Sequence, residues 1–162
     1  MAFNTTSYVS GGALRQILSG QVMDLHGTTG GPPFTDADAV WAALFGNTIT
    51  NNPDNDETYS ATGETSGTGY TAGGKRVQEP KITVVSAANR VCFSDDLLVG
   101  QNVMTWGPGA TITPFGALYY NATRSNIVLA SIYFGNPAGR AVTNGTFTLT
   151  PDPLYGIFSF GY

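Results

Sequence analysis

The second half of the chain is built from short apolar, β-branched or aromatic runs, each cut off by glycine, proline or asparagine. Ile82-Thr83-Val84-Val85 and the run at 90–93 flank the turn Ala87-Ala88-Asn89. The run at 103–106 leads into Gly107-Pro108-Gly109, which reads as a turn. Residues 111–120 form a longer strand candidate holding Phe115, Leu118, Tyr119 and Tyr120. Residues 126–134 are the most apolar run and read as a central strand covered on both faces. Asn144-Gly145 opens Thr146-Phe147-Thr148-Leu149-Thr150, whose period of two puts Phe147 and Leu149 on one face. Residues 154–162 close the chain with Ile157, Phe158 and Phe160. Strands this short, spaced by turn residues, predict a mainly β chain, a single β-sandwich or jelly-roll-like domain.

The first third is less regular. Residues 1–12 are polar and read as an N-terminal arm, with residues 13–162 as the single domain. Leu14, Ile17 and Leu18 fall at i, i+3 and i+4, which predicts one short N-terminal helix over 13–19, stopped by Gly20. Gly30-Gly31-Pro32-Pro33 argues for loop. Val-Trp-Ala-Ala-Leu-Phe at 40–45 reads as a buried strand, with a one-turn helix from Asp36 or Asp38 as the alternative. A polar loop follows at 47–59.

Composition narrows the function classes. Charged residues are 11%, against roughly 25% in an average soluble domain, so the surface is polar but weakly ionic. Such a surface suits a chain packed against copies of itself or other subunits. Aromatics at 12% and hydrophobics at 41% are too many for a disordered chain. A net charge of −4, with only Lys75 and Arg76 adjacent among the cations, argues against nucleic acid as a partner. No apolar run reaches the roughly 18 residues of a membrane helix, and the N-terminus lacks the basic and apolar regions of a signal peptide. The expectation is synthesis in the cytoplasm, with exit only inside an assembled particle. The single cysteine, Cys92, lies in Val91-Cys92-Phe93 and reads as a small buried hydrophobe.

Residues 62–76 carry five glycines and no aliphatic side chain larger than alanine. Within them, Gly69 to Lys75 matches G-x-x-x-x-G-K, the core of a phosphate-binding loop. The next residue should be Ser or Thr to hold Mg²⁺ and is Arg76; Pro80 argues against the helix that should follow. Gly67, Gly69 and Ala72 fit a dinucleotide fingerprint and lack the same context. The stretch therefore reads as a backbone device. Gly67, Gly69, Gly73 and Gly74 supply unusual dihedrals or close approach, and Tyr70 anchors the loop to the core.

Other constellations fail as chemistry. Asp54-Asn55-Asp56-Glu57 lacks the glycine and the bidentate glutamate of a calcium loop, since Tyr59 and Thr65 stand there. His26 is the lone histidine, and no metal or Cys-His site is expected. Asp95-Asp96 reads as a strand-end turn, because neighbours on a strand point to opposite faces. Trp41, Trp106, Tyr119 and Tyr120 could form a sugar platform, but packing in a core or interface is the stronger reading. No enzyme and no cofactor are expected.

Taken in order, Thr62-Gly-Glu-Thr-Ser-Gly-Thr-Gly-Tyr-Thr-Ala-Gly-Gly-Lys75, Asn89-Arg90-Val91, Thr105-Trp106, Phe115-Gly-Ala-Leu-Tyr-Tyr120, Phe134-Gly135 and Asn144-Gly-Thr-Phe-Thr148 resemble a family of small tailed-phage virion proteins. The resemblance spans almost the whole chain and departs from it at 26–38. It implies a small β-sandwich structural protein, first a capsid decoration (cement) protein on the outer surface of the head, second a tail or host-contact component. The partners expected are then the major capsid protein and the chain itself, as a homotrimer. Phe3, Tyr8, Phe158, Phe160 and Tyr162 are the expected subunit or capsid contacts.

Overall fold

A computed structural model describes residues 8–11, 38–48, 58–78, 81–86, 89–94, 104–151 and 156–161. The helix expected over 13–19 lies outside them. So do Phe3, Tyr162, His26 and the Asp54 and Asp95 clusters.

The described chain is mainly β, with antiparallel sheets consistent with a β-sandwich-like single domain. In chain order the strands are β1 Tyr8–Val9, β2 Val40–Phe45, β3 Lys75–Arg76, β4 Lys81–Val85, β5 Arg90–Ser94, β6 Met104–Ile112, β7 Gly116–Asn121, β8 Ile127–Tyr133, β9 Val142–Leu149 and β10 Phe158–Gly161. They form a five-stranded sheet in the order β1-β8-β7-β2-β3, a three-stranded sheet β10-β5-β4 and a two-stranded ribbon β6-β9. Residues 40–45 are thus a strand, not a helical turn. Residues 8 and 9 of the expected arm pair with Ser131 and Ala130 at the rim of the large sheet.

Alternation sorts the core. One face of the five-stranded sheet carries Val40, Ala42, Leu44, Ala117, Tyr119, Ile127 and Leu129. It packs against Trp106, Ile112, Phe147 and Leu149 of the ribbon and Phe93 of the small sheet. The other face carries Ala43, Phe45, Leu118, Tyr120 and Val128, covered by Trp41, Tyr59, Phe115 and Tyr133. A sheet covered on both faces explains why β2 and β7 lack polar alternation. Each fully buried Leu or Val there contributes about 1.5–3 kcal/mol relative to exposure.

Three sequence expectations are corrected. Gly107-Pro108-Gly109 is not a turn between strands: β6 runs through it with a cis Gly107-Pro108 bond and a register shift between Trp106 and Ala110. The shift marks a bulge or irregularity where β6 and β9 approach closely, since a Cβ at Gly107 would lie 2.5 Å from the carbonyl oxygen of Gly145. Asn144-Gly145 lies inside β9 rather than opening it, with Asn144 at φ 48°. The single strand expected over 111–120 is two strands. Pro114 is buried where the chain crosses between sheets, and the Phe115 amide donates to the carbonyl of Phe45 at 2.8 Å.

A buried polar cluster fixes the end of β7. Asn121 donates from Nδ2 to Asp38 Oδ2 at 2.9 Å and accepts from the Thr123 and Arg124 amides at 3.0 and 3.1 Å. Arg124 Nε donates to the same carboxylate at 3.0 Å.

Candidate functional site

Two features stand out, one polar and one apolar. The polar one is the glycine stretch. It meets the end of β2 at the isolated bridge between Phe45 and Glu64 and joins the sheet as β3, whose Lys75 pairs with Ala42. Gly74 sits at φ 75°, and a Cβ there would lie 1.9 Å from the carbonyl oxygen of Ala42, so only glycine lets the two backbones meet. Gly67 and Gly69 run beside Thr111 and Ala110 of β6, where the Thr111 amide donates to the carbonyl of Thr68 at 3.0 Å. The stretch leads into a strand and opens no helix, so Lys75 does not face a phosphate cradle. Its Nζ donates to the Thr105 carbonyl and lies 5.8 Å from the centre of the Trp106 ring.

Side chains hold this loop down. Tyr70 packs on the main core, its ring centre 6.4 Å from that of Trp106. Its hydroxyl accepts from the Leu44 amide at 2.9 Å and donates to Glu64 Oε2 at 2.9 Å. Tyr59 stacks on Tyr120, with ring centres 4.0 Å apart and planes 7° from parallel, and donates to Glu64 Oε1. The Gly73 amide donates to both carboxyl oxygens at 3.2 and 3.0 Å, and Tyr120 donates to the Gly73 carbonyl at 2.9 Å. Burial pushes the Glu64 carboxyl above its ordinary range, opposed by the bonds from Gly73 and Tyr70. Burial, with the nearby Glu64 charge adding to it, also raises the Tyr70 and Tyr120 phenols, so both stay protonated donors. Sequence reasoning gives Tyr70 its anchoring position but gives Glu64 no role. The available signal was a lone carboxylate in a charge-poor, glycine-rich stretch between two tyrosines.

The apolar feature is one face of the small sheet. Register places Ile82, Phe93 and Phe158 in one row and Val84, Val91 and Phe160 in the next, all on the same face. Phe93 and Phe158 turn into the core, their ring centres 5.1 Å apart. Ile82, Val84 and Phe160 remain 41%, 59% and 38% exposed. Cys92 faces the other way and is buried. The structure therefore brings together two of the expected contact residues, one half-buried (Phe158) and one exposed (Phe160). It puts Tyr8 on a different sheet. The sequence marks Ile82 and Val84 only as strand residues. Nothing in one strand's sequence tells which of its apolar residues lies beyond the core's rim.

Of the aromatics considered as a sugar platform, Trp106, Tyr119 and Tyr120 are buried, and Trp41 packs against the second core cluster. Among the described residues no three His, Cys, Asp or Glu side chains group as metal ligands. No described helix is long and apolar enough to cross a membrane. No protein-family model, curated protein or solved structure matches the chain.

Proposed function

We propose that this protein is a non-enzymatic phage structural protein, a decoration protein that binds the outside of an assembled head shell. The observation that carries the reading is the exposed apolar row of Ile82, Val84 and Phe160 on a small β-sheet. Three partly exposed side chains offer on the order of 300 Å² of apolar surface. A standard protein interface buries about 800 Å² per partner. A patch this small is a poor basis for a lone stable dimer, but it suits a contact repeated many times over a lattice, where weak sites add. A ligand that binds only the assembled shell stabilises that shell by mass action. The sequence resemblance supports the same reading and supplies the partners, the major capsid protein and sister copies in a trimer. A tail or host-contact role would call for exposed aromatics that form a glycan groove, and Trp106, Tyr119 and Tyr120 are buried.

The test is co-sedimentation with expanded empty shells of the parent phage, beside Val84→Glu and Phe160→Ser. Both positions are exposed, so each variant is expected to keep its circular dichroism spectrum and to lose at least about tenfold in shell affinity, the equivalent of about 1.4 kcal/mol. A wild-type protein that stays in the supernatant sinks the shell reading. Variants that bind as well as the wild type sink the assignment of this face. Sedimentation velocity on the free protein reads the trimer.

A further inference from the structure

Hydroxyl side chains gather where the glycine stretch passes the end of the β6-β9 ribbon. Thr48, Thr65, Ser66, Thr111, Thr113 and Thr143 line one cleft of about 310 Å³. That volume is at the lower end of the roughly 300–1,000 Å³ of small-molecule sites. Glycine at 67 allows the meeting. A Cβ there would lie 2.0 Å from the Thr111 carbonyl oxygen, so the stretch runs against β6 and brings Thr65 and Ser66 to the same cleft as Thr111 and Thr113. Ile112 and Val142 are register partners and give the cleft an apolar patch.

Thr65 separates this cleft from an ordinary polar surface. The residue is only 7% exposed, and its amide donates to the Leu44 carbonyl at 2.9 Å. Its hydroxyl has no hydrogen-bond partner among the described residues, although buried polar groups are as a rule bonded. Among the described residues only the Trp106 indole N–H is both fully enclosed and unpartnered, so the Thr65 oxygen keeps its opening onto the cleft that it lines. Thr111 adds a half-used hydroxyl. Its Oγ1 accepts from the Asn144 amide at 3.0 Å, which leaves its proton to donate. The chemistry on offer is neutral. Glu64 is the charged residue among those described at the cleft, and its carboxyl is already the hub of bonds from Tyr59, Tyr70 and Gly73. Hydroxyls both donate and accept, as do those of a sugar ring, whose C–H face suits Ile112 and Val142.

We propose that this cleft holds one ring of a neutral saccharide, with Thr65 and Thr111 as its inner hydrogen-bonding groups. No aromatic ring lines it among the described residues, so stacking adds nothing and a single ring binds with a Kd of about 1–10 mM. Copies repeated over a particle would add such weak sites by multivalency. The site is independent of the shell reading, whose face lies on the small sheet.

The experiment follows the amide chemical shifts of the nitrogen-15-labelled full chain. The titrants are the methyl glycosides of glucose, galactose and N-acetylglucosamine, with glycerol as a polyol that has no ring. At least one glycoside is expected to give saturating shifts at residues 64–66, 111–113 and 142–143, and glycerol none. Thr65→Val keeps the side-chain shape without the hydroxyl and is expected to weaken binding at least about threefold. Thr148→Val, exposed on β9 away from the cleft, is expected to bind as the wild type does. Where Thr65→Val does not fold, the double variant of the exposed residues, Ser66→Ala with Thr113→Val, reads the same loss. The proposal is overturned if no glycoside shifts the cleft by about 50 mM, well above the expected Kd. Equal shifts with glycerol overturn it too, as does undiminished binding by the variant that is read.

Discussion

Replacing Tyr70 by phenylalanine removes one oxygen atom and two hydrogen bonds at once. The ring that packs on the core is retained, so no cavity term enters. The hydroxyl accepts from the Leu44 amide, and Leu44 is fully buried, so that N–H is left without its partner. A buried unsatisfied donor costs about 1–3 kcal/mol. The hydroxyl also donates to Glu64, and a hydrogen bond to a charged acceptor contributes about 1.5–3 kcal/mol. The carboxyl keeps two other donors, which lowers the second figure. Tyr70→Phe is therefore expected to cost about 3 kcal/mol in total. Urea unfolding by linear extrapolation measures it, with an unchanged m-value showing that the two-state comparison holds. For a chain of this size the same loss lowers Tm by roughly 6–12 °C. A cost below about 0.5 kcal/mol, within the range of ordinary surface substitutions, would refute the view that this hydroxyl fastens the loop. A cycle with Glu64→Gln sharpens the result. The two residues share one bond, so their effects should miss additivity by more than about 0.5 kcal/mol.

Other outcomes follow from the same geometry. Gly74→Ala places a methyl group against the Ala42 carbonyl in a left-handed backbone, and is expected to cost more than about 3 kcal/mol or to prevent soluble expression. Asn121→Ala strips Asp38 of one donor and the Thr123 amide of its acceptor, while the Arg124 amide keeps the backbone carbonyl of residue 121; a loss of about 2 kcal/mol in urea unfolding is expected. Raising pH from 4 to 7 should weaken the wild type relative to Glu64→Gln in thermal unfolding, the sign set by the raised carboxyl.

The strands were legible where composition and period agreed. The β-branched run at 82–85, the apolar runs at 40–45 and 127–133, and the alternation of Phe147 and Leu149 all name their elements from local residues. What failed was non-local. Gly107-Pro108-Gly109 carries a local turn signal, yet β9 lies alongside and continues the pairing on either side, so the signal becomes a bulge. The break at Pro114 depends on where Phe45 offers a carbonyl. The Glu64 hub draws on Tyr59 and Tyr70, which are near in sequence, but it is completed by Tyr120, reached only once β7 is paired with β2. The exposed apolar row was half legible. Phe160 was named from its terminal position, whereas Ile82 and Val84 join it only through the register of the small sheet.

The covering of the large sheet differs between its two sides. One side is backed by other strands, while the other is roofed by the side chains of Trp41, Tyr59, Phe115 and Tyr133. A strand ladder resists load through many parallel backbone bonds. Within this roof Tyr59 is held only by its stacking on Tyr120, its edge contact with Phe45, the segment's backbone bonds and one side-chain bond to Glu64. Under tension the roof should therefore peel before any strand slips. The patch it uncovers, Phe45 and Tyr120, is aromatic, so a fluorescent hydrophobic dye would report the event while the β signature is still intact.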